Sequence, residues 1–225
     1  MDGLQRTPPD GASSLDPTWG ERRPWGMYRF EIHAPLTATV IAAPAEDDRT
    51  GPPLSQGFLF TMVSTVASAH LGPDALRLLA RIDPDAWYHG QLLETLLAQL
   101  EEKDPNLPAQ LGRNIYFMWR SQLEALGFRS ASAVLEAIPS LWTTATRGDC
   151  GEMRAVVGPR RAHLEMEQPY NCMFEAGTVR GLLEAYDATN VRIAHTPCMR
   201  DGAPFCVLEC RWDERETRAG AGTPR

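Results

Sequence analysis

The 225-residue chain is 43% hydrophobic and carries a formal net charge of -7. That apolar share is enough to bury a core in one domain or in two closely joined lobes. The acidic balance, with no basic stripe, excludes nucleic acid and an anionic membrane surface as main partners, because both are gripped by clustered Lys and Arg.

Residues 1–26 are rich in Pro, Gly, Ser and Asp and hold no apolar run resembling a signal-peptide core. They are expected to form a disordered tail on a cytoplasmic protein. Met27 to Ala42 alternates apolar and polar residues with β-branched enrichment, which predicts one or two strands around Pro35. Asp47 to Pro53 reads as a loop. The apolar stretch from Gly57 to Leu71 is interrupted by Ser64, Ser68 and His70. It is shorter than the roughly 20 residues a membrane span needs, so it predicts a buried helix and no membrane span.

Helical spacing of apolar residues continues through Leu76–Ile82, Leu92–Leu100, Leu111–Leu126 and Ala133–Leu141. Gly72-Pro73, Asp83-Pro84, Asp104-Pro105 and Gly127 punctuate these runs. Beyond Gly148, Glu152–Val157 and Ala162–Glu167 read as strands flanking a Gly158-Pro159 turn. A helix over Asn171–Tyr186 follows, and then two more strands, Val191–His195 and Phe205–Trp212. The expected class is α+β, with a helical N-terminal and middle part packed on a mostly antiparallel sheet and a C-terminal β-β-α-β-β unit. Residues 213–225 are expected to be a second disordered tail.

The chain has no internal repeat, phosphate-cradling glycine loop, serine nucleophile elbow or HExxH pair, which removes several common enzyme classes. Its five cysteines are an odd number, and four of them fall in the last quarter. That pattern fits a reduced compartment and local metal chemistry better than a disulfide framework. Cys172, His195, Cys198 and Cys206 form a Cys, a His-x-x-Cys and a Cys eight positions further on. Three thiolates and one imidazole make a tetrahedral metal set, and Asp201-Gly202 supplies a turn to carry Cys206 back beside Cys198. Buried cysteines also serve as small hydrophobes, since Cys206, Leu208 and Cys210 would share one strand face. Cys210 is expected in the core, and Cys150, in the polar turn GDCGE, reads as an exposed thiol.

Over Trp87 to Trp212 the chain resembles the 4-vinyl reductase domain of phenol- and toluene-responsive transcription activators, whose fold is related to Golgi transport-particle subunits. The likeness is most specific in Phe174 to Cys206, where Ala176-Gly177, Gly181, the following strand and Cys-x7-Cys around Gly202 carry it. It implies a ligand- and metal-binding domain over residues 87–212, with 27–86 as a strand and helix region that contributes a homodimer contact. It also implies zinc held by Cys172, Cys198 and Cys206, with His195 standing where the family has Glu. An iron–sulfur cluster is the alternative for that donor set.

Aromatic residues are dense in the middle of the chain: Trp87, Tyr88 and His89, then Tyr116, Phe117 and Trp119, then Trp142. They read either as core or as the lining of a pocket for an apolar or aromatic small molecule. The resemblance favours the pocket, and with it a stand-alone sensor-type domain. The alternatives are an enzyme or accessory redox protein for a hydrophobic or tetrapyrrole-like substrate, and a homodimeric scaffold. A metal closed by four protein ligands leaves no position for water and speaks for structure over catalysis.

Overall fold

A computed structural model describes residues 30, 31 and 33–214 of the chain. The expected N-terminal tail lies outside these residues, as does most of the C-terminal one; Asp213 and Glu214 belong to the last strand.

The first layer begins with β1 (Val40–Ile41) and β2 (Leu54–Gln56), then α1 (Gly57–Ala67), α2 (Pro73–Leu79), β3 (Trp87–His89), α3 (Gln91–Lys103) and α4 (Leu107–Met118). A short α5 (Arg120–Ala125) and the longer α6 (Ala131–Ala145) lead into β4 (Thr146–Arg147). The second layer holds β5 (Glu152–Gly158), β6 (Arg161–Glu167), α7 (Cys172–Ala185), β7 (Ala188–His195) and β8 (Cys206–Glu214). The α+β class is as expected, with the strands divided between two antiparallel sheets ordered β1-β3-β2-β4 and β5-β6-β8-β7.

Local chemistry explains the C-terminal unit. Gly158 pairs with Arg161 across a two-residue loop in which Arg160 takes a positive φ of 55°, closing the β5–β6 hairpin. Asn171 caps α7, its side-chain oxygen accepting the Met173 and Phe174 backbone N–H groups at 3.0 and 3.1 Å. Ala162, Leu164 and Met166 of β6, with Cys206, Leu208 and Cys210 of β8, form a buried face packed in one cluster with Val179, Leu182 and Leu183 of α7.

Helix α7 lies directly against α4. A Cβ on Gly177 would stand 2.0 Å from the Ala109 carbonyl oxygen, and one on Gly181 2.2 Å from that of Arg113. From the other side, a Cβ on Gly112 would meet the Phe174 carbonyl oxygen at 2.2 Å. Three glycines thus let two backbones touch, which fixes α7 along its axis.

The middle of the chain holds one element that the helical spacing does not announce and one expectation that needs correction. Trp87–His89 is a strand, held between β1 and β2 with Tyr88 opposite both Val40 and Ser55; three aromatic residues suit a pleated, half-buried surface. The helix expected over Leu111–Leu126 is two helices that break at Trp119, whose ψ of 1° leaves the α region. Its indole N–H donates to Met62 Sδ at 2.9 Å instead of continuing the helical stripe.

Candidate metal centre and cavity

The four residues singled out by spacing meet at the N-terminus of α7. One ligand atom from each of Cys172, His195, Cys198 and Cys206 lies within 4.8 Å of all the others. Cys172 Sγ is 3.5 Å from Cys198 Sγ, which in turn is 4.0 Å from Cys206 Sγ. These are not disulfide distances, and all five cysteines of the chain are free thiols. Thiolate–metal bonds of about 2.3 Å on a tetrahedron place sulfurs about 3.8 Å apart, close to what is seen.

Each donor has its own positioning device. Cys172 opens α7, and without a metal its hydrogen bond to Cys206, together with burial, keeps its thiol protonated, well above the ordinary range. His195 ends β7 and Cys206 begins β8. Between them the chain forms a knuckle around Cys198, whose carbonyl accepts the N–H groups of Asp201 and Ala203 at 3.0 and 3.2 Å. Gly202 completes that knuckle with a left-handed φ of 89°. The Met199 N–H donates to Cys206 Sγ at 3.2 Å. The neighbouring Cys172 thiol, His195 and this N–H hold the Cys206 thiol well below its ordinary range, as a metal-ligating thiolate requires. His195 Nε2 is buried without a hydrogen-bond partner, an orphaned nitrogen that a bound metal ion would satisfy.

A polar strut stands behind the cluster. Arg200, on the knuckle, donates through both terminal nitrogens to the Glu101 carboxylate of α3 at 2.5 and 2.8 Å. Asn171 Nδ2 donates to the same carboxylate at 2.9 Å. Arg200 holds Glu101 below the usual carboxylate range. The strut ties the knuckle, α3 and the start of α7 together, and neither Arg200 nor Glu101 stands out by spacing, because their partnership spans 99 positions. The competing thiols are placed as packing groups. Cys210 is core, as expected, while Cys150, expected to be exposed, is fully buried with its thiol donating to the Arg147 carbonyl.

A cavity of about 270 Å³ lies between the helices and the second layer. Tyr116, Trp119 and Trp142 line it, as do Phe58 and Phe174. The other aromatic-cluster residues lie elsewhere. Tyr88 is buried in the first core, its hydroxyl accepting the Asp83 N–H at 2.9 Å. Trp87 carries the Arg147 guanidinium 4.7 Å above its ring, and His89 Nδ1 accepts the Gln91 N–H at 3.0 Å. Phe117 points away from the core and is 52% exposed. Strand alternation in β3 and the outer face of α4 account for these placements. Spacing missed Ser55, Tyr170, Glu175 and Thr178, polar members of a largely apolar wall. Gln122, Leu126 and Thr144, all exposed, mark where the cavity approaches the surface.

No family model and no curated protein matches this sequence. Solved structures do match its fold. An H-NOX protein from S. oneidensis in the Fe(II)NO ligation state superimposes with a TM-score of 0.58 at 14% identity, covering 71% of this chain and 99% of that one. An H-NOX domain from Shewanella oneidensis in the Fe(II)CO state gives 0.56 at 14% identity over 71% and 99%. An Fe(II) unliganded H-NOX protein from K. algicida gives 0.52 at 10% identity over 73% and 100%. At these identities the likeness establishes the fold: the chain has the H-NOX fold.

These matches correct two expectations. The 4-vinyl reductase resemblance is not upheld, because the structures sharing the fold are H-NOX domains and no family model supports the other assignment. The expectation of zinc or an iron–sulfur cluster is not upheld either, since the neighbours are described with Fe(II). The residues lining this chain's cavity, however, do not fit an iron centre there. Iron needs a strong protein donor such as His or thiolate, and the wall contains neither; its one carboxyl, Glu175, is raised to about 8 by burial and the Glu94 charge, so it is mostly protonated at neutral pH. Burial pushes the Tyr116 and Tyr170 hydroxyls far above the ordinary tyrosine range, so they stay protonated, and Met153 is a lone thioether. Of the five histidines, His33 and His70 are exposed, His89 lies on β3, His163 pairs with Glu209 and Glu165, and His195 belongs to the thiol cluster.

Proposed function

We propose that this chain is a small-molecule-binding, sensor-type domain whose ligand site is the apolar cavity, and whose Cys172, His195, Cys198 and Cys206 hold a metal ion. The observation that carries the reading is the double role of α7. Its first residue is a donor of the cluster, and its next turns, through Phe174, Glu175, Thr178, Val179 and Leu182, are a wall of the cavity. Three soft thiolates and an imidazole select a thiophilic metal, and binding energy at such a site becomes folding energy. A metal ion there pins the N-terminus of α7 to the β7–β8 hairpin. A ligand entering the cavity then presses on a helix anchored at one end, so its movement is felt where α7 and α4 meet.

The cavity suits a ring-sized apolar molecule, because its volume is small and its wall is dominated by aromatic and aliphatic side chains. No helix among the described residues is long and apolar enough to cross a membrane. The reading is tested by metal analysis of the purified chain together with tryptophan-fluorescence titration by toluene. Bound metal in the chain as purified, and saturable quenching that Trp119→Ala weakens, support it. Absence of both overturns it.

A further inference from the structure

The cavity wall contains one group that packing does not explain. Glu175, in the first turn of α7, is only 5% exposed and lines the cavity, and its carboxyl makes no hydrogen bond among the described residues. Its charged surroundings are unbalanced. Across from it, α3 contributes Glu94, a like charge whose Oε2 is also buried without a partner. The nearest cation acting on Glu94 is Arg200, and both Arg200 terminal nitrogens are already committed to Glu101. Tyr116 and Tyr170 complete the set of titratable neighbours, and Tyr170 is occupied with Ser55 at 3.0 Å. The buried Glu175 carboxyl therefore feels the Glu94 charge with no cation of its own, in the wall of a largely apolar cavity.

We infer that the cavity takes a small organic cation: an ammonium group on an apolar, ring-sized body, its charge on the Glu175 carboxylate and its body against Phe58, Trp119 and Trp142. The inference rests on the cavity being the ligand site, and it adds the chemical class of the ligand. Aromatic faces favour a cation as well as a ring, which the stacked pair Phe58 and Trp119, 5.1 Å apart, provides. Before the ligand arrives, burial and the Glu94 charge raise Glu175 to about 8, so its carboxyl is mostly protonated at neutral pH. Arrival of the ammonium expels that proton to solvent as the O–H bond breaks, leaving the carboxylate paired with the cation.

The experiment uses the full chain with 2-phenylethylamine and its uncharged analogue 2-phenylethanol, titrated by calorimetry at about pH 6 and about pH 8, in two buffers of different ionisation heat. The amine is expected to bind about tenfold tighter than the alcohol at the higher pH, and to lose about tenfold at the lower, where the carboxyl holds its proton. Amine binding should release a proton and alcohol binding none. Glu175→Gln should bring the amine down to the level of the alcohol while leaving alcohol affinity within about twofold. The buffer comparison on the unaltered chain gives the answer even if that variant fails to fold. Equal binding of both probes without proton release overturns the cation inference and leaves the cavity reading standing. Failure of both probes to bind overturns the cavity reading, and this inference with it.

Discussion

The two layers of the molecule differ in what holds them. The first, with β1 to β4 and α1 to α4, packs one large cluster around Phe60, Leu96, Leu97 and Ile115, and its short strands are joined by pairings distant in sequence. The second is built from neighbours in sequence, two antiparallel hairpins and a capped helix, and then closed by four polar donors within 4.8 Å. The lesson is that both layers bury an apolar core, and the second adds one polar point at the start of α7 where four donors converge.

If that division is correct, the largest effect should come from the cluster. Cys206→Ser is expected to remove the metal and cost several kcal/mol of stability, since binding energy there is folding energy; elemental analysis and a thermal melt check both. Unchanged metal content and Tm would show that the second layer is held by packing, as the first is. Next in size is the contact between α7 and α4. Gly177→Val forces side-chain atoms into the Ala109 carbonyl and should cost about 3 kcal/mol by denaturant unfolding. A cost under about 1 kcal/mol would mean the helices can part without loss.

A third effect depends on pH. Burial raises Glu94 from 4.5 to about 7 and Glu175 from 4.5 to about 8, so the folded chain keeps protons that the unfolded chain releases. The stability they supply is complete below pH 4.5 and is lost as pH rises through 7 to 8. The difference in Tm between the unaltered chain and Glu175→Gln should therefore shift in favour of the variant as pH rises across that window. A constant difference would show that Glu175 reaches water. The smallest effect separates two tryptophans. Trp119→Ala should weaken toluene binding about tenfold, while Trp87→Ala, outside the cavity, should leave it within about twofold. The reverse order would move the ligand site to the first sheet.

The same contrast explains what could be read from the sequence. The C-terminal unit was legible because its signals are local: period-two strands, the Gly158-Pro159 turn, the helical spacing over Asn171–Tyr186, and a Cys and His spacing that brings four donors to one point. In the first layer, Trp87–His89 becomes a strand only because Val40 and Ser55 lie on either side of Tyr88, and no local pattern announces those partners. Tyr116, Trp119 and Trp142 were legible as an aromatic group, yet the spacing could not separate them from Phe117 on the outer face. Glu175 was hidden because an acid in the first turn of a helix reads as a favourable partner of the helix dipole. Its raised pKa depends in part on Glu94, 81 positions earlier, a like charge that no local pattern places near it.

The most direct test of the whole account is X-ray absorption at the edge of whatever metal the purified chain carries. About one ion per chain, in a shell of three sulfurs and one nitrogen, is the predicted result. A metal-free chain that folds and melts as before, or an ion bound only by oxygen and nitrogen, would contradict it.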